Sequence, residues 1–507
     1  SDVVNAQKQG IHSYHLPKAT DLFSNLNSAI YSGSWYYHIF HEQKGFLSAH
    51  GAFETWGIRC MMAVAANRLF DNPFVIYNPD SDFNGDAYTI GYLALGMHIY
   101  SIADWLLHSV KEQQFQNLCF MARDGYLPYK AFDELNKIYS IPIKTHYLYL
   151  SRKAILPLML INGDTDFYAL WNTFNLSTLS PSKFLRIASP IIVPDKIKTA
   201  ESICTSHHIP YKRSFGSIDS FLQFGQLFLK EFYSKERAEN YKFKLSNYLS
   251  PMFEGKTATF DVGYNARCEC ILQRNFAFDI TAHYIHTSND RPFGRIEKSG
   301  IKLKSLYPYT PFITGIIREQ LLSELTPSCI GYDDINGKFQ PIFEDYECNL
   351  QTWFITHTLQ MAALDFVKDM VACYGDDIKH LAYRFYDASI PLEYWFHYPK
   401  TVDQNIFKGT LFEDDMGMGN HKSLVDFWNR ELNRWGAVDA VTIYQDKRID
   451  YDSYSFFKRW AMIFANDWGE GKRRFQEKFR TTPIILHISR GIYGGLRKIY
   501  RVGQRKL

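Results

Sequence analysis

Three times in this 507-residue chain a short apolar run breaks off into a charged or glycine-bearing loop, and a helical pattern follows. The runs are "LCFM" before Arg123-Asp124-Gly125, "HYLYL" before Ser151-Arg152-Lys153, and "TATF" before Asp261-Val262-Gly263. A fourth run, Phe278 to Ser288, reads as a further strand. Strand, loop, helix, strand is the pattern of a parallel sheet with helices on its faces, so the expected fold class is α/β. Ligands of such sheets bind in the crevice beyond the carboxyl ends of the strands. The three loops are therefore the candidate site.

The rest of the chain is organised around that region. Its length exceeds what one hydrophobic core usually serves, so two or three domains are expected. Residues 21 to about 115 read as helical, 116–345 as the α/β core, and 346–507 as helical and aromatic-rich. A helical insertion interrupts the core at about 160–250, with a Pro/Ser break near Ser180 to Ser189. His397 to Lys422 reads as a long loop. At the start, Val3 to Gln9 reads as a helix stopped by Gly10, followed by a short strand, Ile11 to Leu16. The window Tyr88 to Leu107 is the most lipid-like. It carries His98 and Asp104, however, and reads as a buried helix rather than a bilayer span.

Apolar residues at 46% and charged residues at 21% are ordinary for a globular protein. Of the eight cysteines only Cys268 and Cys270 are close, without zinc-site spacing, so reduced, buried thiols in a cytoplasm are expected rather than a disulfide framework. Charge is uneven. Residues 458–507 hold 13 Lys/Arg against Asp467, Glu470 and Glu477, a net of +10, which leaves −7 for residues 1–457 out of a total of +3. This tail mixes cations with Trp, Phe and Ile, which suits an interfacial contact with an anionic membrane. It carries no nucleic-acid-binding motif, and no nucleic-acid partner is expected.

The loops themselves favour an anionic ligand. Arg123, Arg152 and Lys153 put cations at two strand ends. Asp261, Gly263 and Asn265 precede a helix whose first amides, with Arg267, could hold a phosphate. A ligand with two separated anionic groups would satisfy both features.

The segments "FMARDGYLPYKAF", "YLYLSRKA", "FDVGYNARCECIL" and "SELTPSCIGYD" resemble the ribofuranose-adding module of bacterial polysaccharide-biosynthesis proteins. That module is similar to type I phosphoribosyltransferases. The resemblance runs from about residue 85 to 340. It implies a type I phosphoribosyltransferase-like, Rossmann-like sheet and transfer of 5-phosphoribosyl from phosphoribosyl pyrophosphate (PRPP) to a glycan hydroxyl. Asp124, Asp261 and Glu324 would be the catalytic residues, with Asp124 or Glu324 as base and Asp261 on the ribose hydroxyls. Arg123, Gly125, Tyr126, Ser151, Arg152, Lys153, Gly263, Tyr264, Asn265 and Arg267 would bind substrate. Mg2+ would sit on the pyrophosphate near Asp124.

The implied setting is the cytoplasm, at the inner face of the plasma membrane, with a lipid-linked glycan as acceptor. In many such proteins a HAD-type phosphatase precedes the module. "SDVVNAQKQGIHSYHLPK" resembles the last motif of that phosphatase, so residues 1–20 are expected to be its remnant and the 5-phosphate to be removed by a phosphatase in cis. One departure is clear. The family pattern has paired acids and a hydroxyl-bearing phosphate loop, whereas Asp261 is followed by Val262, and the loop carries Asn265, Ala266 and Arg267. Two other readings remain open: a nucleotide-sugar-dependent glycosyltransferase, and a non-catalytic scaffold for glycan enzymes.

Overall fold

In the computed structural model the four apolar runs become neighbours in one parallel sheet. The strands are β1 (Asn117–Met121), β2 (Lys144–Leu148), β3 (Thr257–Asp261), β4 (Ile280–His286) and β5 (Lys302–Tyr307). Their order is β2-β1-β3-β4-β5, and every pairing is parallel. In register, Asn117 lies opposite Lys144 on one side and Thr257 on the other. The chain leaves β1 for one edge, then returns to build the other half from β3. The loops after β1 and β3 therefore part company, and the crevice between them is the switch point of a doubly wound sheet.

Residue alternation sets which face each side chain serves. Leu118 and Phe120 of β1 pack with Ala258 and Phe260 of β3 into a core shared with the helices Ala87–Gln113, Tyr126–Tyr139 and Leu350–Tyr374. Cys119 and Met121 face a second core, built from the helical stretch that includes Ile218–Glu231 and Lys235–Leu249. All five residues of β1 are buried, as expected of a strand covered on both faces. The helix Ala87–Gln113 is long and apolar enough to cross a bilayer, yet 94% of its most apolar window is buried inside the protein. The helices before and after the α/β region in sequence thus close over one face of the same sheet.

The structure describes residues 2–13, 49–69, 78, 80–160, 167, 170–171, 176–287, 300–307, 314–345, 349–383, 385–397, 399–413 and 421–435. By chain contacts it separates a unit of Ser1–Tyr444 from one of Gln445–Leu507, and the basic tail lies outside the described residues.

Several local expectations need correction. β2 ends at Leu148 rather than at Ser151, because Ser151 accepts the Ala154 N–H and starts the short helix Arg152–Ile155. The Pro/Ser break near Ser180 contains a helix, Pro181–Ile187. Ser180 caps it and Pro181 takes its first turn, where a proline lacks nothing the helix needs. The expected loop at 397–422 contains a helix, Thr401–Asn405, and the first strand of a hairpin, Leu411–Glu413 with His421–Ser423. Ile11 to Ser13 form no strand; Ile11 is 60% exposed and pairs with no strand among the described residues, and Tyr14 to Leu16 lie outside them. The helix before them, Asp2–Lys8, and the positive φ of Gly10 agree with the reading. Among the described cysteines none forms a disulfide, and most are buried, but Cys373 is exposed.

Candidate functional site

The loop after β1 turns tightly because nothing larger than glycine fits at its end. A Cβ on Gly125 would lie 2.7 Å from the Met121 carbonyl oxygen and 3.0 Å from its nitrogen, though the Gly125 backbone is itself right-handed. The requirement is close approach rather than a special dihedral. The peptide bonds Ala122–Arg123 and Gly263–Tyr264 are cis. This turn holds Arg123 and Asp124 over the switch point. On the other side Asp261 ends β3, its Oδ1 accepting the Val262 N–H at 2.8 Å.

A cavity of about 150 Å³ opens between them. Its walls come from the ends of three strands: Arg123 and Asp124 after β1, Ser151 and Arg152 after β2, and Asp261 at the end of β3, with Cys268 from the helix Arg267–Phe276. A roof is supplied by residues 327–329, at the start of the hairpin formed by β6 (Cys329–Ile335) and β7 (Lys338–Phe343). Two residues of the second loop fasten that roof. Ser151 Oγ donates to the Cys329 carbonyl at 2.5 Å, and Lys153 Nζ donates to both oxygens of Glu344 at 2.7 Å.

The other residues singled out from sequence stand as follows relative to the cavity. Lys153 borders the cavity, but its ammonium is buried and already engaged by Glu344. It is a tether, and the cavity's cationic character comes from Arg123 and Arg152. Glu324 is an anchor. Its Oε2 accepts from Tyr147 at 3.0 Å and from Thr326 at 3.1 Å, while its N–H donates to the Arg123 carbonyl at 3.0 Å. Tyr126 opens the helix Tyr126–Tyr139 with its ring against Tyr147, off the cavity wall. Gly263, Tyr264, Asn265 and Arg267 also stand off that wall. Gly263 instead packs under β4, where a Cβ would lie 2.9 Å from the His286 carbonyl oxygen. Arg267 starts its helix after Ala266, a left-handed residue that gives no side-chain cap.

Sequence reading missed Glu319. It lies on the helix Thr314–Leu322, whose end is tied to the β1 loop: Ser323 Oγ is 2.5 Å from Asp124 Oδ1 and 2.6 Å from the Glu319 carbonyl oxygen. Gln360 donates to the carbonyls of Leu321 and Ser323 and fixes the helix end. The Tyr264 hydroxyl bonds to the Glu319 carboxyl and so holds that acid. No spacing rule could have joined Glu319 to Asp124 across so much chain. A weak cue was its place five residues before Glu324, just ahead of the singled-out segment that begins at Ser323.

Burial and mutual repulsion govern the charges here. Asp261 is held well above the usual carboxylate range by burial, then by the Asp124 charge. Asp124 is raised by burial, against the Ser323 hydrogen bond and the charges of Arg123 and Arg152. Burial and then the Asp124 charge push Glu319 up to about 7. Three carboxyls that resist sharing negative charge, facing two guanidinium groups, suit a ligand bringing both anionic groups and a cation. Among the described residues no group of three or more His, Cys, Asp or Glu is placed to cage a metal ion. Mg2+ needs no such cage: one or two carboxylates with substrate phosphates suffice, and the hard oxygens of Asp124 and Asp261 fit that demand. Two buried histidines take structural places, His98 with Nδ1 2.7 Å from Ser389 Oγ and His283 with Nε2 2.9 Å from Ser109 Oγ.

The fold and site thus define an α/β protein with a polar cavity at its switch point. The chain matches no known family model and no curated protein sequence.

Proposed function

We propose that this chain is a glycosyltransferase of surface-polysaccharide assembly that moves 5-phosphoribosyl from PRPP to a glycan hydroxyl. The observation that carries this reading is the cavity at the ends of β1, β2 and β3, with Arg123 and Arg152 on one side and Asp261 on the other. A pyrophosphate suits the two guanidinium groups, which bind phosphate oxygens in a planar fork. The ribose hydroxyls suit Asp261, whose carboxyl would also offset positive charge growing on the ring as pyrophosphate departs. Mg2+, held by Asp124 and Asp261 with the pyrophosphate, would supply charge neutralisation on the leaving group. The β6–β7 roof, tied by Ser151 and Lys153, would limit water at the reacting carbon. A phosphatase then removes the 5-phosphate to leave ribofuranose.

The test is thermal melting with PRPP and Mg2+ against UDP- and GDP-sugars. A ligand at 100 times its dissociation constant adds about 2.7 kcal/mol of stability. The reading expects a shift with PRPP that disappears in Asp261→Asn. A shift with a nucleotide sugar alone would replace it with the nucleotide-sugar reading, and no shift with either would favour the scaffold.

A further inference from the structure

A second cavity, about 100 Å³, also reaches the Arg123–Asp124 pair. Both cavities share those two residues, so groups bound in each would approach one another at the β1 loop. The second is lined by Glu319, Gln320, Glu324 and Thr352 together with Ile316, Leu325, Leu411 and Phe412. We propose that it holds the acceptor sugar of the transfer, with Glu319 taking the proton of the attacking hydroxyl; this rests on the PRPP reading of the first cavity.

The lining chemistry points to a neutral carbohydrate. Three carboxyls, Asp124, Glu319 and Glu324, outnumber the one guanidinium, Arg123, which disfavours a phosphate, whereas carboxyls accept hydrogen bonds from hydroxyls. The partly exposed Ile316, Leu325 and Leu411 offer an apolar surface for the C–H face of a pyranose. At this size the cavity takes the reacting edge of a sugar and leaves the rest of a growing glycan in solvent. Among the three acids Glu319 is favoured: its carboxyl engages one side chain, Tyr264, against two on Glu324, and unlike Asp124 it does not border the first cavity. Glu324 Oε2 already serves Tyr147 and Thr326, and Asp124 Oδ1 serves Ser323. Glu319 is steadied by Tyr264 and borders the cavity.

The step balances without a further reactant. The acceptor oxygen bonds to ribose C1 as the C1–O bond to pyrophosphate breaks. The hydroxyl proton passes to the Glu319 carboxylate, and pyrophosphate leaves with the electron pair.

The experiment measures pyrophosphate release from PRPP and Mg2+ with octyl glycosides of galactose, glucose, mannose and N-acetylglucosamine, alongside PRPP-dependent melting shifts. At least one glycoside should stimulate release in the wild type. Glu319→Gln should lower kcat about 100-fold or more while keeping the PRPP shift, the loss expected for a missing base. Gln320→Trp, which fills the cavity, should raise KM for the glycoside about tenfold and also keep the PRPP shift, about 1.4 kcal/mol of lost sugar binding. Full kcat in Glu319→Gln, loss of its PRPP shift, or no stimulation by any glycoside in a protein that binds PRPP would overturn the proposal. Failure of the wild type to bind PRPP would instead overturn the reading beneath it.

Discussion

Lys153 separates two accounts of the site, because the same side chain is a pyrophosphate ligand by sequence and a tether by structure. Its side chain is 6% exposed and that of Glu344 13%, with two N···O distances of 2.7 Å. Lys153→Met keeps most of the volume and strands the Glu344 carboxylate. Removing one partner of a buried pair costs about 3–5 kcal/mol. Glu344 retains some access to water, so the lower end, about 3 kcal/mol, is expected. A domain of a few hundred residues loses about 2 °C per kcal/mol, which gives a fall of about 6 °C in melting temperature. Lys153→Met/Glu344→Leu removes both charges and should recover most of that loss, since a buried pair and its apolar replacement are often of similar stability. The decisive reading is the PRPP shift in this double variant. It should persist. A single variant as stable as the wild type would refute the tether, and a stable double variant without the PRPP shift would restore Lys153 as a ligand.

Gly125→Ala should cost about 1–3 kcal/mol by forcing a Cβ against the Met121 backbone, and should weaken the PRPP shift because Arg123 and Asp124 ride on that turn. Both effects are read in one melting series. Asp403 is fully buried and accepts hydrogen bonds from Ser81 Oγ and the N–H groups of Asp82, Phe83 and Gly85. Asp403→Ala should therefore cost about 3 kcal/mol or more in denaturant unfolding, with Asp403→Asn recovering part of it. Glu319 gives a pH signature. Its folded pKa of about 7 lies above the unfolded value of 4.5, so its stabilising contribution is complete below 4.5 and is lost as pH rises through 7. The full shift corresponds to about 3 kcal/mol, less whatever cavity water screens. Melting temperature should fall between about pH 5 and 8, and Glu319→Gln should flatten that slope; an unchanged slope would contradict the assignment.

The sheet was legible because β1 and β3 are central strands buried on both faces, and such strands are continuous apolar runs that announce their own ends. Arg123, Asp124 and Asp261 were legible for the same reason, since a charged residue directly after such a run has one place to go. Capping obscured other boundaries: Ser151 and Ser180 begin helices, and short hydroxyl residues read equally well as loops. The roles of Lys153, Tyr264 and Glu324 were hidden because each is set by a partner far away in sequence, Glu344, Glu319 and Tyr147 respectively. Glu319 was invisible on that ground too. Its chemistry comes from burial beside Asp124, which no local pattern carries.

The central claim is that the cavity at the ends of β1, β2 and β3 is a PRPP site, and a crystal structure with PRPP and Mg2+ tests it most directly. The account predicts pyrophosphate against Arg123 and Arg152, with the ribose hydroxyls at Asp261. Density for PRPP elsewhere, or none in crystals grown at saturating ligand, would contradict it.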